Sequence, residues 1–174
     1  MNQGIIQVYT GDGKGKTTAA IGQALRSWGR GLKIIFYQWL KPSGVSGEQI
    51  AMAALDPVIP VYHLGPSGFI INRAPTPDEV KRAREDWSRV RKAIFSGDYD
   101  LIVIDELSHA INTGLVQVEE IRETLLNKPM SVELVLTGRA MPEEIVAVAD
   151  LVTEMKQVKH PYLNGLPARE GIEY

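Results

Sequence analysis

Along the chain, short apolar runs alternate with segments of helical spacing from end to end. The apolar runs predict strands over residues 5–9, 33–39, 58–63, 101–104, 132–136 and 151–155. Between them, apolar positions at three- and four-residue intervals predict helices over 16–28, 48–54, 76–95, 118–126 and 143–149. The longest of these has clear end signals. Thr76-Pro77-Asp78-Glu79 combines an N-cap hydroxyl, a first-turn proline and a glutamate at the third helical position, and Gly97 stops the helix. The run Leu101-Ile102-Val103-Ile104 is continuous, as expected for a strand covered on both faces. Residues 42–47 form a loop rich in Gly and Ser. Residues 64–74 are the longest irregular stretch, of a length usually tied to function. From 157 to 174 the chain is polar, with Gly and Pro, and is expected to lie ordered on the surface. Strand alternating with helix predicts an α/β fold, a mostly parallel sheet with helices on both faces. No repeat, low-complexity tract or linker divides the chain, so one domain over 1–174 is expected.

Composition narrows the function. Nineteen Lys and Arg against twenty-one Asp and Glu leave a net charge of -2, which gives no general attraction to nucleic acid or anionic lipid. The absence of cysteine excludes disulfides, thiolate metal sites and cysteine nucleophiles. No apolar run approaches the roughly 18 residues of a membrane span. The start, Met1-Asn2-Gln3-Gly4, has no signal-peptide character, so a cytoplasmic protein is expected. His63, His109 and His160 are scattered, with no two at metal-ligand spacing, and structural roles are expected for them. His160 is singled out because the tail that carries it could fold over a site.

Candidate chemistry begins at Thr10-Gly11-Asp12-Gly13-Lys14-Gly15-Lys16-Thr17-Thr18, between a predicted strand and a predicted helix. Glycines let the backbone curl so that successive N–H groups point at phosphate oxygens, and the helix adds its positive end. Lys16 supplies a mobile charge, and the Thr17 hydroxyl suits a magnesium ion carried by the phosphates. This is the Walker A pattern with Thr10 where glycine is usual. Asp105 and Glu106, directly after the apolar run 101–104, supply the carboxylates. Asp105 would meet the ion directly or through water. Glu106 is either a second ligand or, in an ATPase, the base that orients water. Arg139, past the strand at 132–136, should lie on the same rim of strand ends. Arg26, ten residues beyond Lys16 on the same helix, is as readily a surface charge. Phe69 has no local apolar partner in its polar loop, so it either folds inward or caps a hydrophobic ligand. These residues leave three functions open: an ATPase or small-molecule kinase, a non-enzymatic nucleotide switch, or a transferase attacking the nucleotide at phosphorus or ribose.

The sequence resembles the P-loop-type corrinoid adenosyltransferases, which act on cobalamin or cobyrinic acid a,c-diamide. The likeness is carried by Gly11-Asp12-Gly13-Lys14-Gly15-Lys16-Thr17-Thr18-Ala19-Ala20 and by Tyr99-Asp100-Leu101-Ile102-Val103-Ile104-Asp105-Glu106. It continues through Leu136-Thr137-Gly138-Arg139, Ala149-Asp150-Leu151-Val152-Thr153-Glu154-Met155, Val158-Lys159-His160-Pro161-Tyr162 and Gly171-Ile172-Glu173-Tyr174. The resemblance implies a P-loop NTPase-like (RecA-like) fold, ATP as co-substrate, Mg2+, and attack of corrinoid Co(I) on C5′ of ATP with release of tripolyphosphate. It implies nucleotide binding by residues 10–18 with Arg26 and Arg139, chemistry by Lys16, Thr17, Glu106 and Arg139, and metal binding by Thr17, Asp105 and Glu106. It also implies that Phe69 and Ile71 face the corrinoid, with Phe69 as an aromatic wedge on the lower face. The family loop commonly reads Gly-Phe-x-Trp; Gly68-Phe69 match it, Ile71 stands at the Trp position, and Asp12 replaces a frequent Asn. A homodimer and an electron donor such as reduced flavin or a flavoprotein are further implications.

Overall fold

A computed structural model of the protein describes residues 3–41, 46–161 and 165–172. Its elements run β1 (Ile6–Thr10), α1 (Lys16–Trp28), β2 (Ile34–Trp39), α2 (Gly47–Ala53), β3 (Val61–Leu64), α3 (Pro77–Ser96), β4 (Leu101–Asp105), α4 (Leu107–Asn112), α5 (Val118–Leu126), β5 (Glu133–Thr137), α6 (Glu143–Val146) and β6 (Leu151–Glu154). The six strands form one sheet in the order β3-β2-β4-β5-β1-β6, and every pairing is parallel. The expected α/β architecture is therefore present. Parallel strands share one direction, so their carboxyl ends, from Thr10 to Glu154, form a single rim.

Alternation along the strands divides the core between the two faces. Ile102, Ile104, Leu134 and Leu136 pack with Trp87, Val90 and Ile94 of α3 and with Leu107, Ile121 and Ile145 of α4, α5 and α6. Leu101, Val103 and Val135 point the other way, onto Ala20 and Ala24 of α1 and Met52 of α2. The small alanines let α1 lie close to the sheet centre, which brings its first turn up to the rim.

Most predicted elements agree with the structure to within a residue or two. The strand predicted over 58–63 begins later, at Val61, since Pro60 has no N–H for a ladder and only its carbonyl pairs, accepting from the Phe36 amide. The helix predicted to Ala149 ends at Val146. α4 is an addition: six residues with no side-chain cap carry too little pattern to be legible. Of the predicted 42–47 loop, residues 42–45 lie outside the described residues, as do Tyr162, Glu173 and Tyr174.

Candidate active site

The glycine-rich loop leaves β1 and turns into α1. Its start needs a residue without a side chain: Gly11 has φ +95°, and a Cβ there would sit 2.6 Å from the Met155 carbonyl oxygen. That same carbonyl accepts from the Gly13 amide at 2.6 Å, so the residue after β6 clamps the loop. Lys16 bends back across the loop, its ammonium donating to the carbonyls of Gly11 (2.6 Å) and Gly13 (2.7 Å). Burial lowers the Lys16 pKa and Arg139 adds to this, against Glu106, Asp12 and Asp105. Gly15 is the N-cap of α1, which has no side-chain cap and no acidic residue in its first turn. Its leading amides and dipole are thus left for an anion.

Asp105 is the hub of the rim. It is fully buried, and its Oδ1 accepts from the hydroxyls of Thr17 (2.9 Å) and Thr137 (2.5 Å). Its Oδ2 accepts from the Lys41 ammonium at 3.1 Å. Thr137 in turn accepts from the Glu106 amide at 3.1 Å. Glu106 has a left-handed backbone (φ 57°), unusual outside glycine and concentrated at functional sites. Burial raises its carboxyl pKa, as does the charge of Asp105, against Lys41, Lys16 and Arg139. Gly138, with φ +142°, lies so close to Ser108 that a Cβ would collide with the hydroxyl. Ser108 Oγ donates to the Arg139 carbonyl at 2.5 Å, tying the arginine's backbone to α4.

A cavity of about 430 Å³ runs along the loop, lined by residues 13–18, Lys41, Glu48, Glu106, Arg139 and, from the tail, His160, Gly171 and Ile172. Lys14 reaches the Ile172 carbonyl at 2.9 Å. A second cavity, of about 460 Å³, opens on the far side of Glu106 and Arg139, which line both. Phe69, Ile71, Ser108, His109, Asn112 and Ala140 complete it. The Phe69 ring stands edge-on to His109, centroids 5.0 Å apart, and is 49 % exposed. Burial lowers the His109 pKa, against a hydrogen bond to the Ile70 backbone. His109 Nε2 is buried without a partner.

The cavity along the glycine-rich loop thus adjoins a chamber with an exposed aromatic. Residues 2–174 fit the model of the family described as ATP:corrinoid adenosyltransferase BtuR/CobO/CobP. The chain belongs to this family. It is 32% identical over 172 residues to the corrinoid adenosyltransferase of Escherichia coli (strain K12), covering 99% of this chain and 86% of that one. The corresponding enzyme of Pseudomonas aeruginosa is 30% identical, covering 99% and 84%, and that of a Sinorhizobium species 33%, covering 99% and 81%.

Of the residues expected to serve an adenosyltransferase, the structure gathers Gly13 to Thr18, Asp105, Glu106 and Arg139 at one place. Phe69 and Ile71 come together in the adjoining cavity. Thr10 lies just beneath, where its hydroxyl accepts from the Met141 amide at 3.2 Å. Asp12 is exposed and is not among the residues lining the cavity. Arg26 is not brought to the loop within this chain: it sits exposed on the last turn of α1, ten residues from Lys16. His160 does reach the cavity wall. Sequence reasoning missed Lys41, Glu48, Thr137, Met155 and His109. Thr137 alone had a usable signal, as the last residue of an apolar strand beside Gly138-Arg139. Among the described residues no helix is long and apolar enough to cross a membrane.

Proposed function

We propose that this protein transfers the 5′-deoxyadenosyl group of ATP to the cobalt of a corrinoid, either cobalamin or its precursor cobyrinic acid a,c-diamide. Co(I) attacks C5′: its electron pair makes the Co–C bond, the C5′–O5′ bond breaks, and O5′ departs with the bonding pair as part of tripolyphosphate. Cobalt passes formally from Co(I) to Co(III), so no separate oxidant is needed. The observation that carries this reading is the pair of cavities sharing Glu106 and Arg139 as their common wall. Hydrolysis would need room only for water, whereas a chamber holding Phe69 and Ile71 suits a large ligand with an apolar face.

Each residue then has a role. The amides of Gly13 to Thr18, the start of α1 and Lys16 bind the phosphates, and their charge counts most as negative charge builds on the leaving oxygen. Arg139, on the common wall, offsets the charge that builds on the leaving group. The Thr17 hydroxyl with Asp105 and Glu106 is an all-oxygen donor set, which fits Mg2+ bound through few protein ligands and the nucleotide phosphates. When bound, Mg2+ offsets the charge of the triphosphate. Glu106 needs no role as a base, since Co(I) is already a strong nucleophile. Phe69 covers the lower corrin face, displacing the axial ligand and easing reduction to Co(I), with Ile71 beside it. The protein is further taken to be a single-domain cytoplasmic homodimer fed by reduced flavin or a flavoprotein; family membership is the support for these points.

Phosphorus NMR of products from Mg-ATP and chemically reduced corrinoid tests the reaction. Tripolyphosphate formed only with Co(I) is the expected result. ADP and phosphate formed with or without corrinoid would make the protein an ATPase.

A further inference from the structure

Among the described residues, Lys41 is the one lysine or arginine on the cavity wall outside the glycine-rich loop and the Arg139 strand end, and its position is built rather than incidental. Leu40 before it is buried and adopts a left-handed backbone (φ 62°), which turns the chain inward at the end of β2. The Lys41 carbonyl accepts from His63 Nδ1 at 3.0 Å, and the Leu40 carbonyl accepts from the Gly68 amide at 3.1 Å. These contacts fix the backbone at the root of the side chain. The ammonium sits 3.1 Å from Asp105 Oδ2 and 3.6 Å from Glu48 Oε1. Burial acts to lower its pKa, but Asp105, Glu48 and Glu106 outweigh this and raise it.

Asp105 Oδ1 is committed to two hydroxyls, which makes Oδ2 the oxygen open to a cation, and Lys41 holds it. A divalent ion on that carboxylate and an ammonium 3.1 Å from it repel each other strongly in a half-buried site. The lysine must then move, and its flexible four-carbon stem allows this. Besides the Glu48 and Glu106 carboxylates, the anion that this cavity would hold is the phosphate chain of a nucleotide bound over the glycine-rich loop. We infer that Lys41 is a second phosphate-binding lysine, held on Asp105 in the nucleotide-free protein and transferred to the phosphates when a divalent cation takes that carboxylate. The inference rests on the reading of the loop as a nucleotide-phosphate site. It assigns to tripolyphosphate a second lysine, supplied by the end of β2 and not by the glycine-rich loop.

The test compares the wild type with Lys41→Met and Lys41→Arg. Calorimetry with tripolyphosphate and Mg2+ measures the phosphate arm, and Mn2+ paramagnetic resonance on nucleotide-free protein measures the cation arm. Lys41→Met is expected to bind tripolyphosphate about tenfold more weakly. It is also expected to bind Mn2+ about fivefold more tightly, because its competitor is gone. Lys41→Arg should recover most of the phosphate affinity. Loss of both affinities in Lys41→Met would show a purely structural lysine and overturn the inference. So would equal tripolyphosphate binding by wild type and Lys41→Met. Failure of the wild type to bind tripolyphosphate at all would overturn the phosphate-site reading beneath it.

Discussion

At the scale of single residues, the chemistry of this site depends on which side chains were placed by the loop and which by the sheet. Lys16, Thr17, Asp105 and Glu106 were legible because a local pattern dictates them: a glycine-rich turn before a helix, and two carboxylates after an apolar run. Lys41, Glu48 and Thr137 were not, since each acts only through the neighbours that strand order gives it. Lys41 follows a strand paired in register with β4, where Gln38 lies opposite Asp105. Phe69 is the residue whose test separates the two substrates. It lies outside the cavity along the glycine-rich loop and touches His109, so Phe69→Ala should leave the rate with preformed Co(I) within about twofold of wild type. The route from Co(II) through a weak reductant should fall by about tenfold or more, the loss expected when an aromatic contact is removed from a buried ligand face. Parallel assays with strong and weak reductants measure this. Equal losses in both would remove the wedge role.

Secondary-structure elements were read best where their ends are written in the sequence. At the start of α3, Thr76 Oγ1 accepts from the Glu79 amide at 3.3 Å while Glu79 accepts from the Thr76 amide at 2.7 Å. Arg73 then grips both Glu79 oxygens, each at 2.7 Å. Its guanidinium, with the Thr76 amide second, holds the Glu79 pKa down at about 2. A carboxylate depressed from 4.5 stabilises the fold above that value, and the contribution fades as pH falls towards about 2. Urea melts should therefore show wild type losing its advantage over Glu79→Gln across that window, with the two curves parallel above it. Thr76→Ala should cost about 1 kcal/mol at neutral pH. α4 shows the opposite case. It starts from the strained Glu106 and is held by Ser108 and Asn112 reaching the Arg139 and Ala140 carbonyls, contacts that no short-range pattern announces.

For the whole molecule, the parallel sheet with two helical layers followed from the alternation of strand and helix, while the strand order did not, because apolar runs do not say which neighbours they choose. The tail was expected on the surface, and it lies there: no described residue from 157 to 172 is buried. It nonetheless closes one side of the cavity along the glycine-rich loop through His160 and Ile172. A chain ended at residue 156 should melt close to wild type yet bind Mg-ATP about fivefold more weakly, as measured by calorimetry. Unchanged affinity would reduce the tail to a bystander. The strand order has a further consequence for how the protein is made. β1 pairs only with β5 and β6, and β5 slots between β1 and β4. On the ribosome, β2, β3 and β4 can therefore join into a half-sheet while β1 and its loop wait without a partner. They wait until residues 133–137 emerge and the Thr137 hydroxyl closes on Asp105. The glycine-rich loop is among the first segments synthesised and among the last to be assembled.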